Sequence, residues 1–98
     1  MIQHLYSIKN DTAGFGPGIP CENDENAKQF FKQRMMMSQE LRIVADQLSI
    51  WNLGVTYDTD TGTYIQNTKM MKEIERGDKY GYKEYSIQDS IQRTGTTL

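Results

Sequence analysis

Residues 48–57, Leu-Ser-Ile-Trp-Asn-Leu-Gly-Val-Thr-Tyr, restrict the fold more than any other stretch of the chain. Trp51, Leu53, Val55 and Tyr57 recur every second residue, the period that places side chains on one face of a strand. Asp58-Thr59-Asp60-Thr61-Gly62 follows, joining Asx residues to a glycine able to take a positive φ, which reads as a tight turn. Thr63-Tyr64-Ile65 can then return as a short hairpin partner. An isolated hairpin is barely stable in water, so this one needs more strands and a covering layer.

The rest of the chain supplies both. Ile2-Gln3-His4-Leu5-Tyr6-Ser7-Ile8-Lys9 is β-branched and aromatic, with Ile2, His4, Tyr6 and Ile8 on one side and Gln3, Leu5, Ser7 and Lys9 on the other. A turn over residues 10–14 and an irregular Gly14-Phe15-Gly16-Pro17-Gly18 segment come next. Ile19-Pro20-Cys21 suits a short edge strand, because Pro20 cannot donate to a ladder. Asn23 or Asp24 caps a helix over about residues 25–36, with Glu25 in its first turn and Phe30, Phe31 and Met35 as its apolar stripe. Ser38 caps a second helix over 39–47, or else the two form one helix bent there. Beyond Ile65, Asn67 or Thr68 caps a short predicted helix through Arg76, ended by Gly77. Residues 78–98 are polar and are expected to be mobile or to order only against a partner.

At 98 residues there is room for one domain, and a chain this short buries little surface. A homo-oligomer, most simply a dimer, is therefore expected. The formal net charge is −2, against the basic surplus of proteins that hold duplex DNA by charge. The single cysteine, Cys21, excludes an intramolecular disulfide and a cysteine-rich zinc site. No apolar run approaches the length of a membrane span, and the N-terminus has no signal-peptide pattern. A soluble protein of a reducing cytoplasm is expected, with no membrane partner and no cofactor.

Side chains that could carry chemistry have simple structural explanations. Asp58 and Asp60 would converge on a metal only with help from Glu84 or Asp89, whereas Asx-turn bonding needs no ion. The glycines near Phe15 do not form a phosphate cradle, since Pro17 and Pro20 remove donors and the helix starts several residues later. His4 has no nucleophile beside it, and Cys21 reads as a small buried hydrophobe. No base, nucleophile or metal set stands out, so the chain is read as not an enzyme. The most suggestive pattern is Lys79-Tyr80-Gly81-Tyr82-Lys83-Glu84-Tyr85, where basic and aromatic residues interleave as stacking on unpaired bases requires. Lys69, Lys72 and Arg76 lie just upstream. Beyond residue 64 the chain holds six Lys/Arg against five Asp/Glu, and before it five against eight. Lys69, Lys72, Arg76, Lys79, Tyr80, Tyr82, Lys83 and Tyr85 are thus the candidate nucleic-acid residues. Lys28, Lys32 and Arg34 form a second, weaker basic group. Phe15, Met35, Met36 and Met37 are the candidate interface residues.

The order of motifs between Leu5 and Tyr64 resembles a phage family. It comprises a Leu-Tyr-Ser-Ile opening strand and an Ala-Gly-Phe-Gly-Pro turn at Ala13–Pro17. An apolar-Pro segment, an Asn23-Asp24 helix start, and Ala27 and Phe31 follow. The aromatic-x-Leu-Gly strand at Trp51–Gly54 and the Asp-x-x-Thr-Gly turn at Asp58–Gly62 complete it. This is similar to the gokushovirus nonstructural protein, described as a DNA-binding protein of genome replication. The resemblance covers roughly two thirds of the chain. It implies a role near the switch from duplex replication to single-strand synthesis, in the host cytoplasm. The Met35–Met37 helix exit and the tail beyond residue 66 depart from the family pattern.

The sequence therefore predicts an α+β fold. A small antiparallel sheet, with strands near 2–9 and 48–57, packs against one or two helices, and Phe30, Phe31, Leu53, Val55, Ile8 and Trp51 supply the core. Residues 1–66 form the domain and 67–98 a helical and mobile appendage. Two functions are expected to compete. One is a single-stranded-DNA-binding replication accessory. The other is a homo-oligomeric module contacting a phage replication initiator or a host protein without binding DNA.

Overall fold

The computed structural model describes residues 1–81. Its elements are β1 (Ile2–Asn10), β2 (Gly14–Phe15), β3 (Ile19–Cys21), α1 (Asp24–Met37), α2 (Gln39–Ile43), β4 (Leu48–Asp58), β5 (Thr63–Gln66) and β6 (Lys72–Arg76). The fold is α+β, with all strand pairs antiparallel in one six-stranded sheet. Two long strands, β1 and β4, lie side by side at its centre. β2 and β3 share the outer edge of β1, and β5 and β6 share the outer edge of β4.

Local signals set the helices. The Asn23 side chain accepts from the Asn26 N–H at 2.8 Å, and Asp24 and Glu25 occupy the first turn. Ser38 ends α1 and caps α2, accepting from the Leu41 N–H at 3.2 Å. The chain thus takes the two-helix alternative, with a 3-10 turn at Ala45–Gln47 leading into β4.

Helix α1 covers one face of the sheet. Ala27, Phe31 and Met35 bury against Tyr6, Leu48, Ile50 and Ala45, with Ile8, Leu41, Val44, Ile74 and Tyr80 packed around them. This corrects the expected core. Phe31 and Ile8 belong to it and Phe30 is half-buried, but Trp51, Leu53 and Val55 do not share the helix face. In β4 the buried side chains at even positions, Leu48, Ile50 and Asn52, are those that meet α1. Asn52 is tolerated there because its side-chain oxygen accepts the Gly54 N–H at 2.8 Å.

A bulge at residues 53–54 interrupts the ladder between β1 and β4. Leu5 pairs with Val55 and Tyr6 already with Asn52. Gly54 has φ +73, and a Cβ there would stand 2.3 Å from the Asn67 carbonyl oxygen. The Gly54 carbonyl in turn accepts the Asn67 N–H at 2.7 Å. The link from β5 to β6 therefore wraps closely around this glycine.

The helix expected over residues 68–76 is corrected. Thr68–Met70 is a single 3-10 turn, and Lys72–Arg76 is strand β6, paired with Ser49–Asn52 of β4. Residues 72–76 are part of the core sheet, with Ile74 against the hydrophobic cluster. The i,i+4 charge pairs that suggested a helix are worth only tenths of a kcal/mol, less than filling an open edge of a central strand. The chain then turns at Gly77 and docks Tyr80 edge-to-face on Phe31, ring centroids 5.9 Å apart. Among the described residues no helix is long and apolar enough to cross a membrane.

Candidate nucleic-acid interface

The sheet face opposite α1 carries the side chains that the alternation in β4 picked out. Register places Gln3 beside Tyr57, Leu5 beside Val55, Ser7 beside Trp51 and Lys9 beside Ser49. Phe15 of β2 stands opposite Lys9, and Tyr64 of β5 opposite Tyr57. Side chains of opposed residues share a face, so all of these project away from α1. Trp51, Leu53, Val55 and Tyr57 are half-buried, Phe15 is 43% exposed and Tyr64 66%.

Two aromatic stations result. At one end Phe15 meets Trp51 edge-to-face, centroids 5.7 Å apart, and the Lys9 ammonium lies 5.3 Å from the first ring and 5.0 Å from the second. Trp51 is held by its Nε1–H, which donates to the Ser49 hydroxyl at 2.9 Å. The Ser7 hydroxyl donates to the Gly16 carbonyl at 2.8 Å and anchors the loop that carries Phe15. At the other end Tyr57 and Tyr64 stack at 4.6 Å with 27° between their planes. Along β1 the stations are four residues apart, from Ser7 to Gln3, or about 13 Å at 3.3 Å per residue.

Among the described residues no carboxylate lies within ion-pair distance of Lys9. The basic residues singled out in the sequence are mostly engaged. Lys72 pairs with Asp24 at 3.4 Å, Lys79 with Glu75 at 3.1 Å, and Arg76 with Asp11 at 2.8 Å and Glu73 at 3.1 Å. The Arg76 guanidinium also donates to the Asp46 carbonyl, and the Asp11 and Glu73 carboxylates raise its pKa further. Lys69 has no acidic partner among the described residues and borders the helix-side cleft. Tyr80 is committed to the core, with its hydroxyl donating to Glu75. Desolvation, then that bond, raises its pKa. These five residues do not form one surface. Lys72 and Tyr80 lie on the helix side and Arg76 on the open side. Tyr82, Lys83 and Tyr85 lie outside the described residues.

The interface candidates divide similarly. Met35 is fully buried, so its assignment to an interface is corrected. Its position on the α1 stripe directs it into the core. Met36 and Met37 are exposed, as is Ile43. Phe15 is exposed, as expected of an interface residue, but its neighbours are Trp51 and Lys9.

A cleft of about 540 Å³ opens on the helix side, lined by His4, Tyr6, Asp24, Asn52, Lys69 and Lys72 among others. The Tyr6 hydroxyl donates to Asp24 at 2.7 Å. That bond, aided by Lys72 and Asn52, holds the Asp24 carboxyl below its usual range against the opposing effect of burial. Burial pushes the Cys21 thiol up, which disfavours a reactive thiolate. No cluster of three or more His, Cys, Asp or Glu residues able to hold a metal occurs among the described residues.

Comparison with known proteins finds no matching family model, no matching curated protein and no matching solved structure. The site therefore stands on its own geometry. Sequence reasoning found the alternating aromatic and aliphatic residues of β4 but assigned them to the core. It passed over Lys9, Tyr57 and Tyr64 as site residues. The missed signal was that Leu48, Ile50 and Asn52 make a second face, which α1 covers.

Proposed function

We propose that this chain binds single-stranded nucleic acid by stacking bases on the open sheet face, as an accessory in the genome replication of a small single-stranded-DNA phage. The observation that carries the binding reading is the pair of aromatic stations, Phe15–Trp51 and Tyr57–Tyr64, on a face that no helix among the described residues covers. Stacking needs exposed rings more than charge, so it suits a protein of net charge −2. Lys9 adds a cation next to the first station, where a phosphate could approach. Duplex DNA presents no unpaired base faces, so single strands are the favoured ligand. The phage assignment and the choice of DNA rest on the resemblance in motif order, and the host cytoplasm follows from it.

Trp51 is the single tryptophan of the chain and sits in the site. Titration of its fluorescence with single-stranded oligonucleotides, and with the same sequences as duplexes, tests the reading directly. Quenching by single strands is expected, with Phe15→Ala and Tyr57→Ala each weakening binding by about 1–3 kcal/mol. A folded protein whose Trp51 emission ignores both ligands would remove this reading.

A second reading has its own observation. Met37 and Ile43 are 86% and 70% exposed at the far end of the helices. Such exposed apolar side chains suit a module contacting a phage replication initiator or a host protein without binding DNA, and a folded protein that leaves single strands unbound would favour this reading over stacking.

A further inference from the structure

Among the described residues, the open edges of the sheet are unequally protected. β2 is two residues long, and β3 contains Pro20, which cannot donate. β6 carries Lys72, Glu73, Glu75 and Arg76, with a bulge at Ile74. Charge, proline, bulges and shortness are the usual means of preventing edge-to-edge pairing. β5, Thr63-Tyr64-Ile65-Gln66, has none of the first three. All four residues are exposed, Tyr64 at 66% and Ile65 at 68%, and their register with β4 is unbroken.

The outward backbone groups of β5 follow from its ladder. The Asn67 N–H points inward to the Gly54 carbonyl at 2.7 Å. By the alternation of antiparallel bonding, Ile65 also faces inward, while Tyr64 and Gln66 turn both N–H and C=O outward. These groups lie on a strand without charge, so a two-fold copy sets no like charges against each other within it.

We propose that a second copy of this chain pairs along β5, antiparallel, about a two-fold axis at Ile65 and perpendicular to the sheet. Tyr64 of each copy then exchanges its backbone bonds with Gln66 of the other, and Ile65 faces its counterpart. This is an isologous interface. Asp60 precedes one end of β5 and Lys69 follows the other, so antiparallel pairing brings opposite charges to the same end. The perpendicular axis keeps both helix layers on one side and both open faces on the other. The Tyr57–Tyr64 stations of the two copies become neighbours on one continuous surface. The partner thereby completes a longer stacking track. This last consequence rests on the stacking reading, whereas the pairing does not.

The test is sedimentation equilibrium of the full chain over a concentration series, with hydrogen exchange of the Tyr64 and Gln66 amides. The expected mass rises toward twice 11.3 kDa, and both amides gain protection with concentration. Ile65→Lys sets like charges at the axis and should weaken self-association at least about tenfold with an unchanged circular dichroism spectrum and melt. Ile65→Thr, uncharged and β-branched, should retain the dimer. A wild-type monomer at every concentration overturns the proposal, as does an Ile65→Lys dimer of unchanged affinity. Amides protected equally at all concentrations would also overturn it and assign the edge to the chain's own residues 82–98. Ile65 is on the helix side, so Ile65→Lys leaves Phe15, Trp51, Tyr57 and Tyr64 intact. Nucleic-acid binding by that monomer therefore separates failure of the pairing from failure of the stacking reading.

Discussion

Two glycines show how much can depend on one Cβ. Gly54 and Gly62 both have positive φ, +73 and +71, yet only the first is crowded. At Gly62 a methyl group would meet open space, so Gly62→Ala costs about 1 kcal/mol of backbone strain. At Gly54 the same strain adds to a collision with the Asn67 carbonyl, and Gly54→Ala should cost about 2–4 kcal/mol. In a domain of this size that lowers Tm on the order of 10–30 °C, against about 4–8 °C for Gly62→Ala, as read by thermal melts of both variants. Equal losses would mean that the wrap of residues 67–71 around the bulge is not fixed. Asp24 governs a second residue-scale effect. Its folded pKa is lowered, chiefly by the Tyr6 hydroxyl and then by Lys72. The stability it contributes is therefore complete above the usual carboxylate range and lost as pH falls through the lower folded value. Urea melts between pH 5 and pH 2 should show wild type losing stability below about pH 4 more steeply than Asp24→Asn.

Among the elements, what could be read early depended on whether a signal was local. The Asn23 and Ser38 caps, the Asx residues and glycine of the 58–62 turn, and the alternation of β1 and β4 are short-range, and the elements they mark form where the sequence places them. Lys72–Arg76 has one apolar residue, Ile74, between charges, which fits a strand and a helix about equally well. Its identity as β6 was decided by the vacant edge of β4, a partner some twenty residues away in sequence. The open face was hidden for a similar reason. An alternating apolar strand says that one side is special, and only the position of α1 tells which side is covered. Because β6 and its link close over β4, a chain ending at Gln66 should lose its cooperative thermal transition. A two-state melt retained by that fragment, followed by circular dichroism, would show that residues 67–76 are the appendage their charge pattern suggested.

For the molecule as a whole, charge and shape favour different modes of binding, and salt tells them apart. The net charge is −2, and ion pairs occupy Lys72, Arg76 and Lys79, so among the described residues Lys9 is the cation set against the aromatic rings of the open face. Counterion release then involves one or two phosphates. For single strands this gives a slope of log K against log salt of roughly −0.7 to −1.4. Binding through Lys69, Lys72, Arg76, Lys79 and Lys83 together would neutralise about five, for a slope of roughly −3.5. The second mode also requires the existing ion pairs to open. The two modes respond oppositely to substitution. Combined Tyr82→Ala, Lys83→Ala and Tyr85→Ala in the full chain should leave affinity within about twofold if bases stack on the sheet, while Trp51→Ala should reduce it by about 1–3 kcal/mol. A steep slope together with the reverse pattern of losses would move the binding site from the open face to the basic and aromatic residues beyond β6.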